Sequence, residues 1–250
     1  MQRDINTIIE KAKEESLLIM AKAGFPLNKA VSIGFDPRLP FMGYTTERNG
    51  RPLIVVSRMS LESGLLNGLI IHEMGHIYQT EQLHPSHNHQ NLASLINRFL
   101  RKHKLTFKYQ REAMQEIVNT IQDLYADDVS FIVYRKNPGN TFREDQFADF
   151  FMGWIHAPIF PVDTVQKRWK NATSVVNAAF AKSNLERHHI KDKDNLVQNA
   201  INVFLSKVQP SHATKFSYFN NFMVHLPQNP TDEKFSTILE DYFERYRELI

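Results

Sequence analysis

Apolar residues recur at helical spacing from the start of the chain. Ile5, Ile8, Ile9, Ala12, Leu17 and Met20, closed by Gly24 and Pro26, predict an amphipathic helix over residues 4–23. The period then shortens. "AVSIGFD" and "FMGYTTERNGRPLIVVSR" are rich in β-branched and aromatic residues, and Asn49-Gly50 divides the second into two strands, because that dipeptide suits a two-residue hairpin needing positive φ. Pro52 has no amide donor and so belongs at the start of a strand or on an edge, and strand 53–57 is expected to have edge character. Through "RMSLESG" the chain leads into the helix that carries His72, and helical spacing dominates the rest. "NLASLINRFLRKHK", "REAMQEIVNTIQDLYADDVSFIVYRK", "VVNAAFAKSNLERHHI", "NLVQNAINVFLSKV" and "DEKFSTILEDYFERYRELI" all read as helices, the last with a stripe of Phe235, Ile238, Leu239, Tyr242, Phe243 and Tyr246. The pattern predicts an α+β protein: a small mixed sheet and its helix in residues 1–137, then a mainly helical region, 138–250, with a boundary near Pro138.

One apolar run departs from this pattern. In "GLIIHEMGHIYQTEQLHPSHNH", residues 68–89, Leu69, Ile70, Ile71, Met74 and Ile77 surround His72, Glu73 and His76. A helix apolar on nearly all sides is a buried one, and a buried polar group is costly without a partner. A metal ion supplies that partner. Residues four apart share a helix face, so His72 and His76 can each aim a ring nitrogen at one ion about 2.0–2.1 Å away. This is the HExxH arrangement, in which zinc acidifies a water and Glu73, one residue round from His72, takes its proton. Gly75 costs helix stability and is expected where another backbone comes close.

Catalytic zinc takes three protein ligands. The chain has no cysteine, and Gln79 and Gln82 stand where a metzincin continuation needs glycine and histidine, so the third ligand is a carboxylate from a later helix. "NTIQDLYADDV" offers Asp123 and Asp127, four apart; Glu116 is a rival, and Asp128 a weaker one because Ile121, Leu124 and Ile132 place it on a packing stripe. HEMGH followed by DLYAD resembles the gluzincin metallopeptidases, in particular the CAAX-processing and heat-shock membrane protease family, whose second motif is Glu-x-x-Ala-Asp. The resemblance covers roughly residues 50–130 and implies a zincin-like catalytic region in which Asp123 is the third zinc ligand and Asp127 orients His72. Two departures matter. Aspartate replaces the family's glutamate at position 123, so the helices must approach more closely, and the family's membrane-spanning segments are missing.

Bulk properties narrow the functional classes. Cysteine chemistry is excluded, and a net charge of +3 is no polycation. No apolar run approaches the roughly 20 residues of a membrane span, and the first residues do not read as a signal peptide, so a cytoplasmic protein acting away from the membrane is expected. The expected activity is zinc-dependent hydrolysis of a peptide or protein, with Glu73 as general base and the strand at 53–57 pairing with the substrate. Arg187, His188, His189 and His225 are oxyanion candidates but read better as surface or capping residues, and His84, His87 and His89 read as a solvated loop. Two alternatives remain open. Arg98, Arg101, Lys102, Lys104, Lys108 and Arg111, interleaved with Phe99, Phe107 and Tyr109, suit a nucleic-acid-associated protease of the SprT-like kind; a zinc-binding scaffold without turnover is the other.

Overall fold

The computed structural model describes residues 2–137 and 145–250, and the boundary expected near Pro138 lies outside the described residues. Helix α1 (Gln2–Ala23) precedes three strands, β1 (Ser32–Phe35), β2 (Gly43–Arg48) and β3 (Arg51–Val56). The short α2 (Arg58–Glu62) leads into α3 (Leu66–Glu81), a 3-10 turn (Pro85–His87), α4 (His89–Lys102) and the long α5 (Lys108–Lys136). Then come α6 (Asp145–Met152), α7 (Val165–Arg187), α8 (Leu196–Leu205), α9 (Pro210–Val224) and α10 (Asp232–Arg247). The protein is thus α+β, with a small mixed sheet and a helical remainder. No helix among the described residues is long and apolar enough to cross a membrane.

The sheet has the order β1-β3-β2, with β1 parallel and β2 antiparallel to β3. Asn49 and Gly50 both take positive φ (53° and 74°), as a two-residue hairpin with right-handed strand twist requires. The expectation that strand 53–57 is an edge is corrected: β3 is the central strand, and β2 is an edge. Pro52 is tolerated there for a local reason. Pairing with β1 begins only at Leu53, and Glu47↔Pro52 directly follows the turn-closing pair Arg48↔Arg51. Antiparallel ladders alternate between bonded and non-bonded pairs, so no ladder position asks Pro52 for an N–H.

Contacts group the described residues into two units. The first holds the residues up to His87 and, from Tyr125, the second half of α5; the second holds Asn88–Leu124 and α6 to α10. The core of the first unit lies where α1 and the sheet meet α3. Ile9 and Met20 from α1, Ile54 and Val56 from β3, and Ile70, Ile71, Met74 and Ile77 from α3 are buried together with Val129 and Val133 of α5. α3 is therefore covered on several sides, as its apolar circumference demands. In the second unit most of the predicted stripe on α10 is buried: Phe235, Leu239, Tyr242, Phe243 and Tyr246 have no exposed surface, while Ile238 is half-buried. Tyr242 stacks on Phe222 of α9 at 4.9 Å and meets Phe219 edge-on at 5.5 Å. Tyr246 shares a 2.7 Å hydrogen bond with Thr173 of α7.

Candidate metal centre

Gly75 fixes how closely α3 and α5 approach. A Cβ on this residue would lie 2.7 Å from the Ala126 carbonyl oxygen, closer than real side chains come, and a tight 3.2 Å from Ala126 Cα. Only a glycine lets the DLYAD backbone rest against α3. Two hydrogen bonds flank the crossing, from Gln79 Nε2 to the Tyr125 carbonyl (3.0 Å) and from the Tyr134 hydroxyl to the Gly68 carbonyl (3.0 Å). Burial, and secondarily the charge of Asp127, push the Tyr134 hydroxyl far above its ordinary range, so it remains a donor. These pairings run in opposite directions along the two helices. His72 and His76, one turn apart, therefore meet Asp127 and Asp123, one turn apart in the reverse sense.

The ligand atoms of His72, His76 and Asp123 all lie within 4.8 Å of one another, and the two histidine Nε2 atoms are 3.2 Å apart. Behind them, Asp127 accepts a 2.8 Å hydrogen bond from His72 Nδ1 and is itself buried. A carboxylate that takes the Nδ1 proton leaves the Nε2 lone pair of His72 for a cation. Although the division into units falls between Leu124 and Tyr125, Asp123 and Asp127 ride on the same unbroken helix. Two imidazoles and one carboxylate with a carboxylate-backed histidine form a donor set suited to zinc, and all three are partly exposed rather than sealed in the core.

Glu73, 5 % exposed, is on the side of α3 that meets the sheet. Thr45 of β2 donates to its Oε2 at 2.8 Å and lies 3.2 Å from its backbone carbonyl. Thr45 was not anticipated, since only knowledge that β2 lies over α3 connects positions 45 and 73. The competitors for the third ligand are placed differently. Glu116 accepts a 2.9 Å hydrogen bond from Asn177 of α7, and among the described residues the metal-capable cluster contains neither it nor Asp128.

The loop behind α3 overturns its expected character. His84, Ser86 and His87 are buried, not solvated, and His87 Nε2 lies 2.8 Å from His76 Nδ1. Only His89 is exposed, at the start of α4. Of the residues considered for an oxyanion role, His189 is exposed and the other three serve helix ends. His188 ends α7 and His225 ends α9, each bonded through Nδ1 to the carbonyl four residues back (Asn184, 2.9 Å; Asn221, 2.8 Å). Arg187 donates to three carbonyls at the end of α9, Met223, Val224 and Leu226. The basic segment is largely engaged too: Arg98 with Glu240 (2.9 Å), Lys102 with Glu244 (2.7 Å), Lys108 with Glu112 (3.1 Å) and Arg111 with Asn97 (2.7 Å).

Fold and site together define an α+β protein with a His-His-Asp cluster at the crossing of two helices. The chain belongs to a family of unknown function, DUF5781, whose model matches residues 25–248 and so includes both motif-bearing helices. Comparison with curated proteins finds no match, and neither does comparison with solved structures.

Proposed function

We propose that the protein is a zinc-dependent metallopeptidase with a zincin-like catalytic region, in which His72, His76 and Asp123 hold the metal and Glu73 is the general base. The observation that carries this reading is the convergence of those three ligand atoms within 4.8 Å, with Asp127 bonded behind His72. Zinc held there would acidify a water and polarise a carbonyl, the two things amide hydrolysis needs. The chain's own residues do the rest. Thr45 holds one carboxylate oxygen of Glu73, and with metal bound the other would be the general base for the activated water. Asp127 keeps the His72 ring in the tautomer and direction that ligation requires.

The substrate best suited to this arrangement is an extended peptide. β2, which carries Thr45, has no further strand beside it among the described residues, and a free strand edge recognises peptides through main-chain hydrogen bonds. Pairing of the basic residues on α4 with acidic residues of α10 favours a peptide over nucleic acid as the ligand. Hydrolysis of fluorescently labelled casein by the zinc-loaded chain tests the proposal. Glu73→Gln is expected to lower the rate at least about a hundredfold, within the span that general-base catalysis supplies, while the zinc content is unchanged. Equal rates for the two proteins would instead fit a zinc-binding scaffold.

A further inference from the structure

The buried turn after α3 decides which nitrogen of His76 carries a proton. Its members form a chain: His76 Nδ1 to His87 Nε2 at 2.8 Å, His87 Nδ1 to Ser86 Oγ at 2.8 Å, and Ser86 Oγ to His84 Nδ1 at 2.7 Å. Imidazole and hydroxyl groups can each donate or accept, so the chain alone has no direction. A backbone amide provides one. The Ser86 N–H, which can only donate, points at His84 Nδ1 from 3.3 Å. With the imidazoles neutral, that amide assigns the His84 proton to Nε2 and makes Nδ1 the acceptor.

From that anchor the polarity propagates. Ser86 donates its hydroxyl proton to His84 Nδ1 and so accepts from His87 through a lone pair. His87 must carry its proton on Nδ1, which leaves Nε2 to accept from His76 Nδ1–H. His76 then presents the Nε2 lone pair. We propose that His84, Ser86 and His87 are positioning residues that hold His76 in its metal-ligating tautomer, as Asp127 does for His72.

Burial makes the relay effective. His84, Ser86 and His87 are 7 %, 0 % and 5 % exposed, so water does not compete for their hydrogen bonds, and the His84 ring rests on Tyr125 at 4.5 Å. The two anchors of fixed polarity, a carboxylate behind His72 and an amide at the end of the turn, impose the same result. Two Nε2 lone pairs face each other at 3.2 Å, with an Asp123 oxygen within 4.8 Å of both. Three electron-pair donors so arranged favour a divalent cation among them. His84 and Ser86 act only through others, and neither belongs to the HExxH or DLYAD motif.

The inference rests on the metal-site part of the reading above, and its test separates the two. Nitrogen-15-edited NMR of the full chain reads imidazole tautomers directly, without zinc and with one equivalent. His87 is expected as the Nδ1–H form and His84 as the Nε2–H form in both samples, with His76 as Nδ1–H once zinc is bound. Ser86→Ala, a small change at a buried site, is expected to mix the His87 tautomers and raise the zinc dissociation constant about tenfold, the low end of losses for partners behind a ligand. A melting curve checks that this variant folds. His87 carrying its proton on Nε2, or zinc affinity unchanged in a folded Ser86→Ala chain, overturns the inference. Failure of the native chain to bind zinc overturns the metal reading and the ligand-positioning role with it, whereas wrong His84 or His87 tautomers in the zinc-free sample overturn the inference alone.

Discussion

At the scale of single residues, Gly75 and Ala126 decide whether a site exists. Position 123 bears aspartate, a short side chain, and its ligand atom comes within 4.8 Å of those of His72 and His76 where the backbones of α3 and α5 lie close together. A Gly75→Ala substitution places a methyl 2.7 Å from the Ala126 carbonyl oxygen, against backbone that cannot step aside. Loss of roughly 1–3 kcal/mol of stability is expected from such overpacking, read by chemical denaturation, together with weaker zinc binding as Asp123 is pushed away. Unchanged stability would mean that the contact is looser than the geometry implies. This glycine was legible in the sequence because a helix interior gives it no other use. Thr45 was not, and neither was the relay through Ser86, since a polar loop gives no sign of burial when its groups satisfy one another.

At the scale of elements, periodicity was enough to place α1, α3, α4, α5 and α10, whose apolar stripes are long. Strand roles were harder to read. Pro52 suggested an edge, yet β3 is central, because the parallel partner β1 starts one residue after the proline. The α4–α10 pairing shows the same limit: Arg98 and Lys102 look like a ligand-binding surface in sequence but each bonds to an acidic residue 142 positions away. Glu244 is the hub of that pairing. Hydrogen bonds from Lys102 above all, and from His103 and Arg247, hold its carboxyl down to about 2. A carboxylate whose folded value is depressed adds stability above its unfolded value near 4.5, and that stability is lost as pH falls towards 2. Glu244→Gln should therefore destabilise the protein at neutral pH, by about 1 kcal/mol or less for so accessible a cluster, and the gap between variant and native midpoints should close across that acidic interval. A gap independent of pH would show that the side chain contributes by packing alone.

At the scale of the whole molecule, two units share the long helix α5. Its first half belongs with the helical unit and its second half with the sheet-bearing one. Reading the chain linearly suggests one change of character near residue 138, because a single long helix gives no sign that its two halves join different cores. The region matched by the family of unknown function, 25–248, takes in residues of both units. The central claim is that the crossing of α3 and α5 holds a divalent metal. Elemental analysis of the purified chain beside His76→Ala and Asp123→Ala tests it most directly. One zinc per native chain, lost from both folded variants, is the predicted result; a metal-free native chain, or an Asp123→Ala chain that keeps its zinc, would contradict it.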